Sequence, residues 1–207
     1  SANFRSLIAR AEIAGSVLAF CDQDDVWFSK KVEVTLARML KMDAAYGDVP
    51  LLVHTDLEVV DEDLNLIAAS MWEYEYILPN KNTLSRLLIQ NTITGCTMMV
   101  NRKLAEKCVS IPDGAIMHDW WIAANVIKHK GIVEFIDEPL IQYRQHGSNS
   151  VGAKKNSVLN FMYRSVTYFF NMEILNKVWH QAKSIDPELN IFYFFLRKSQ
   201  ITLKNLF

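Results

Sequence analysis

The 207-residue chain has little net charge, few cysteines and no long apolar run, and each scarcity excludes something. The formal net charge is −1, without the basic stripe that nucleic-acid binders carry, so nucleic acid is not an expected partner. The three cysteines, Cys21, Cys96 and Cys108, are odd in number and match no zinc or redox spacing, which points to a reduced compartment. Cys21 and Cys96 sit in apolar runs and read as buried packing residues. No stretch reaches the roughly 18 uninterrupted apolar residues of a spanning helix. The opening residues do not read as a secretory leader, so none is expected, and repeats and low-complexity tracts are missing. The expectation is a soluble, cytoplasmic protein whose membrane contact is at most peripheral, at the inner face.

What is present suits a folded α/β protein. Half the residues are hydrophobic, enough for a sizeable core. Helical spacing covers 3–14, then Val17 to Cys21 reads as a buried parallel strand with acids at its carboxyl end, the end where open α/β sheets bind ligands. A helix is expected over 29–42 with Ser29 as its cap. Leu51 to His54 reads as a strand that Leu57 to Asp61 continues or pairs with. A loop or short helix is expected over 66–82, a helix over 83–90 and a strand from Gly95 to Val100. Asn101 is placed to cap a helix running to Lys107, and another helix is expected over 118–129. Strands at Ile132 to Ile136 and Leu140 to Tyr143 flank an expected turn at Glu138-Pro139. Beyond residue 150 two long aromatic-rich helices, 157–180 and 187–206, are expected, parted near Asp186-Pro187. The division is a domain over 1–152 and a helical extension over 153–207.

The densest chemical signal is Asp22-Gln23-Asp24-Asp25. Three carboxylates in four residues repel one another unless a cation is near, and a divalent ion with a bound phosphate supplies that charge. In an extended segment Asp22 and Asp24 point the same way and can share a site. An apolar run followed by Asp-x-Asp-x-Val also describes the nucleophile strand of haloacid-dehalogenase-like phosphatases, with Asp22 as nucleophile, Asp24 as acid/base and magnesium bound. The bulky Trp27-Phe28-Ser29-Lys30-Lys31 that follows does not suit that family's small, flexible turn.

The longer string Phe20 to Trp27, followed by Lys30 and Lys31, resembles the DxD region of family 2 glycosyltransferases of GT-A type, above all rhamnosyltransferase-like members that build bacterial surface polysaccharides. His54-Thr55-Asp56-Leu57 with Val60-Asp61 resembles their next strand. Asn91 to Cys96 and Asn101-Arg102 resemble their acceptor-side loop and strand. His118-Asp119-Trp120-Trp121 resembles the segment with the catalytic base, and Tyr143 to Ser150 their closing motif. The resemblance spans roughly residues 3–152. Such enzymes begin with strands that hold the nucleotide base, and the resemblance implies that this sequence starts after them.

The resemblance implies a GT-A-like mixed sheet with flanking helices, N-terminally truncated, followed by a C-terminal helical pair. It implies inverting, metal-dependent transfer of a sugar, rhamnose among the candidates, from a nucleotide-sugar donor to a polysaccharide or lipid-linked acceptor. Asp119 would be the catalytic base. Asp24, Asp22 and His146 would hold Mg²⁺ or Mn²⁺. Asp25 and Arg144 would serve the donor diphosphate. Trp120, Trp121, Asn91, Thr94 and Gly95 would face the acceptor. Flanking indoles would desolvate Asp119 and raise its pKa, against the helix N-terminus. The rival functions are a phosphohydrolase built on Asp22 and Asp24, and a non-catalytic interaction fragment. The missing strands would leave a surface for self-association, and the apolar C-terminal helices a surface for peripheral membrane contact.

Overall fold

The computed structural model describes residues 17–108, 110–146, 153 and 171–204. The helix expected over 3–14, residues 147–150 of the closing motif and much of the helix expected over 157–180 lie outside them. Six strands, β1 (Val17–Ala19), β2 (Val26–Trp27), β3 (Leu51–Val60), β4 (Leu66–Ala68), β5 (Met99–Asn101) and β6 (Ile132–Arg144), form one mixed sheet. The helices are α1 (Lys31–Tyr46), α2 (Met71–Glu75), α3 (Leu84–Leu87), α4 (Arg102–Lys107), α5 (His118–Lys128), α6 (Met172–Ile185) and α7 (Ile191–Lys204). A 3-10 turn, Gly95–Thr97, precedes β5.

The strand order is β1-β5-β3-β6-β2, with β4 also on β3. The centre is β3, whose run Leu51 to Val60 is buried except at Glu58. It is one ten-residue strand rather than two pieces. Its side chains alternate between two cores. Leu52 joins Leu87, Leu104, Trp120, Ile122, Val178 and Phe194 on one side, while Leu51 and Val53 meet Met39 and Met42 of α1 on the other. Each such side chain contributes about 1.5–3 kcal/mol on burial. The described C-terminal helices share the first of these cores with α5.

Three sequence expectations change. The strands expected either side of Glu138-Pro139 are one strand. Thr55 pairs with Ile136 and Asp56 with Pro139, so Asp137 and Glu138 bulge from the parallel β3–β6 ladder instead of turning the chain back. Proline cannot donate to a ladder and is tolerated at such a bulge. The segment from Gly95 to Val100 is a 3-10 turn before a short strand. Ser29 does not cap α1, whose N-cap is Lys30 with no side-chain cap bond. The Asn101 cap stands: its Oδ1 accepts from Leu104 N at 3.0 Å and from Leu51 N at 2.9 Å, joining α4 to β3.

β1 is a half-buried strand at the end of the order, paired antiparallel with β5, not a buried parallel strand in mid-sheet. Two antiparallel steps through β5 leave β1 running in the direction of β3, and β6 runs parallel to β3. The carboxyl ends of β1, β3 and β6 therefore share one end of the sheet. Helix α5 returns to the opposite end through Gly131, where a β-carbon would lie 2.3 Å from the Pro50 carbonyl oxygen. That approach requires glycine and leaves the first turn of α5 at the same end as those three carboxyl termini.

Candidate active site

Asp22 and Asp24 do not share a site in the way an extended segment would give. Gln23 and Asp24 form a turn, which breaks the alternation and brings Asp25 beside Asp22. One ligand atom each from Asp22, Asp25 and Cys96 lie within 4.8 Å of one another. Burial pushes the Asp25 carboxyl up to about 6, opposed by hydrogen bonds from the Cys96 thiol and the Arg144 backbone. Arg144 N donates to Asp25 Oδ1 at 3.3 Å, while Oδ2 is buried with no hydrogen-bond partner. Asp22 is also raised, by burial first and then by Asp24.

An orphaned, buried carboxylate oxygen next to a second carboxylate fits a cation. Two carboxylates suit an oxygen-seeking ion such as Mg²⁺ or Mn²⁺. Cys96 suits it less. Its thiol is fully enclosed, burial holds its pKa well above the ordinary value, and a protonated sulfur is a poor ligand.

Asp24 takes a different role from the one its neighbours share. Its Oδ2 lies 2.6 Å from His146 Nε2, with both side chains part-exposed. That hydrogen bond holds the Asp24 carboxyl below its usual range. His146 therefore meets the acidic cluster through Asp24, and Arg144 adds positive charge there. The Arg144 guanidinium also reaches the Glu62 carbonyl at 3.4 Å.

Asp119 stands in the first turn of α5 and is 3% exposed. Trp120 N donates to its Oδ1 at 2.6 Å, and the neighbouring Gly95 backbone and Asn91 side chain act to lower its pKa. Burial nevertheless pushes the group up to about 6, and the charge of Asp22 adds to the rise. Asp119, Asn91 and Gly95 are thus brought together as a unit facing Asp22. Gly95 allows the approach, because a β-carbon there would lie 3.0 Å from the His118 ring and 3.3 Å from Asp119 Cβ. Thr94 is half-buried one residue away, its carbonyl receiving Thr97 N and Oγ1.

Trp120 and Trp121 do not present faces to a ligand. They are 6% and 8% exposed and belong to the main core, with Trp120 Nε1 donating to the Leu87 carbonyl. Their helix periodicity sends both rings into the core. Cys21 is exposed, contrary to its apolar surroundings in sequence.

Sequence reasoning missed three neighbours of the cluster. The Cys96 thiol meets Asp25. The Tyr143 hydroxyl is pushed up by burial and then by Cys96, Asp25, Asp22 and Asp24. Lys31 is 2% exposed and packs beside the same turn. None carries a local signal beyond its place in a motif. Asp56 is not a cleft residue. Its carboxylate accepts from Ser70, Leu57 N, Met71 N and Trp72 N, fastening α2 to β3. No protein-family model matches the chain, and the search of curated proteins gave no match.

Proposed function

We propose that the chain is the acceptor-side part of an inverting, metal-dependent glycosyltransferase of family 2, GT-A type, acting on a nucleotide-sugar donor and a saccharide or lipid-linked acceptor. The observation that carries this reading is Asp119. It is a buried carboxylate with its pKa pushed up to about 6, it packs closely against Gly95, and the charge of Asp22 acts on it. A general base near the working pH is what removal of an acceptor hydroxyl proton requires. The Gly95 backbone and the Asn91 side chain favour the ionised carboxylate against the cost of its burial. Asp22 and Asp25 would hold the cation, and Asp24 with His146 and Arg144 would line the diphosphate side. A bound Mg²⁺ or Mn²⁺ would neutralise the charge of the departing nucleoside diphosphate.

The phosphohydrolase reading needs Asp24 as a free acid/base beside Asp22, whereas Asp24 is bonded to His146. The test is a screen of sugar nucleotides for Mn²⁺-dependent donor hydrolysis and transfer by the parent protein. Turnover lost in Asp119→Asn supports the transferase. Phosphatase activity that survives that change, or no turnover of any donor, discards it.

A further inference from the structure

The 3-10 turn Gly95–Thr97 joins groups that the sequence keeps far apart. Gly95 packs closely against Asp119, the Cys96 thiol lies within 4.8 Å of carboxylate oxygens of Asp25 and Asp22, and the Thr97 carbonyl accepts from Lys31 Nζ at 3.3 Å. Three successive residues therefore contact the base, a carboxylate of the acidic pair and a lysine. That lysine is 2% exposed, and among the described residues no carboxylate pairs with it. Its ammonium lies 5.2 Å from the centre of the Trp27 ring, and that cation–π contact with the Thr97 bond is what holds it. A buried ammonium without an anion costs stability relative to an apolar side chain of the same length. A packing role does not need the charge.

We propose that Lys31 is a positioning residue, which seats the Gly95–Thr97 turn and through it sets Asp119 and Asp25 at their working separation. Lys31 stands at the first residue of α1, with Trp27 on the strand just before it, so the DxD loop and the acceptor-side turn are fastened to one another at this point. The inference rests on the functional reading only for what the seated carboxylates do. That the charge seats the turn stands independently of it.

The experiment uses the full chain with Cys21→Ser and Cys108→Ala, so that Cys96 is the sole thiol. Lys31→Met removes the charge at nearly constant length, and Lys31→Arg keeps it. Native labelling of Cys96 by an aromatic disulfide reports opening of the turn, thermal unfolding reports the fold, and Mn²⁺ alone reports the carboxylates. Lys31→Met is expected to raise the Cys96 labelling rate about tenfold or more, to weaken Mn²⁺ binding, and to leave the melting temperature equal or higher. Lys31→Arg is expected to restore slow labelling. An unchanged labelling rate in Lys31→Met overturns the inference, and so does a rise that tracks a general loss of melting temperature. If Lys31→Met does not fold, Lys31→Gln takes its place with the same expected direction. If the Lys31 protein itself binds no Mn²⁺, the metal-dependent reading of the site falls, and Cys96 labelling alone decides the role of Lys31.

Discussion

Asp24 and Asp119 are the same residue in opposite settings. Asp24 is part-exposed, bonded to His146 and held below its usual pKa, while Asp119 is enclosed, lies near a second carboxylate and is raised to about 6. The intrinsic acidity is identical, so the whole difference comes from solvent and partners. A group that is always ionised at neutral pH can carry charge but is a weak base. A group poised near 6 can take a proton during a reaction and release it afterwards. The division of labour proposed for the site follows from that contrast.

The hardest way to break the contrast is to remove the raised group. Asp119→Asn keeps the side-chain shape and is expected to lower transfer about 10²- to 10⁴-fold, measured as product formed from a sugar-nucleotide donor. A fall of less than tenfold would move the base elsewhere. The second break separates Asp25 from Asp24. Asp25→Asn is expected to weaken Mn²⁺ binding at least about tenfold, or about 1.4 kcal/mol, and Asp24→Asn less. Titration calorimetry showing the reverse order would return the primary ligand role to Asp24.

The pH profile sharpens the comparison. A raised carboxyl works as a base only when ionised, so kcat/KM is expected to fall about tenfold per unit as pH drops below about 6. A profile flat down to pH 5 would mean that Asp119 does not act as the base.

How much of this was legible beforehand divides along physical lines. That Asp119 lies close to Gly95, with the acidic loop near it, was expected from the family resemblance, which sets the order of those segments. The Asp22–Asp25 pairing was not, since it depends on a turn at Gln23-Asp24 that a local reading treats as extended. The indoles were misjudged because a tryptophan beside a functional residue looks the same in sequence whether it faces a ligand or the core. The sheet was foreseen as buried strands, but not the bulge that keeps Ile132 to Arg144 continuous. Cys96 and Lys31 stood inside motifs but without a role, because what matters is the one turn they share, and their separation in sequence hides it.

His54 extends the contrast to a base. It is fully buried between Trp72 and Phe135, with neither ring nitrogen hydrogen-bonded, and burial lowers its pKa to about 3. The unfolded chain takes up this proton below about 6.5 while the folded one does not. Stability is therefore expected to fall with pH between about 6.5 and about 3, by up to about 1.4 kcal/mol per unit. His54→Phe is expected to flatten that part of a melting-temperature series. An equal slope in both proteins would assign the loss to other groups.

The smallest expected effect tests surface rather than site. No described helix is long and apolar enough to cross a membrane, yet Phe192 and Leu196 of α7 are 82% and 57% exposed. Weak flotation with anionic liposomes is expected, and Phe192→Ser with Leu196→Ser is expected to abolish it. Equal recovery of both proteins in the lipid-free fraction would discard membrane contact through α7.

The parallel ladder between β3 and β6 sets the order in which the molecule can be completed. In that parallel ladder Leu51 pairs with Ile132 and Val60 with Arg144. A chain emerging from the ribosome at about 5–20 residues per second leaves the central buried strand without that neighbour for on the order of ten seconds. Closing so large a loop costs entropy before the pairing repays it, which slows folding. The strand that brings Arg144 to the acidic cluster is also the one that closes this ladder, so the site and the sheet are finished in the same late step.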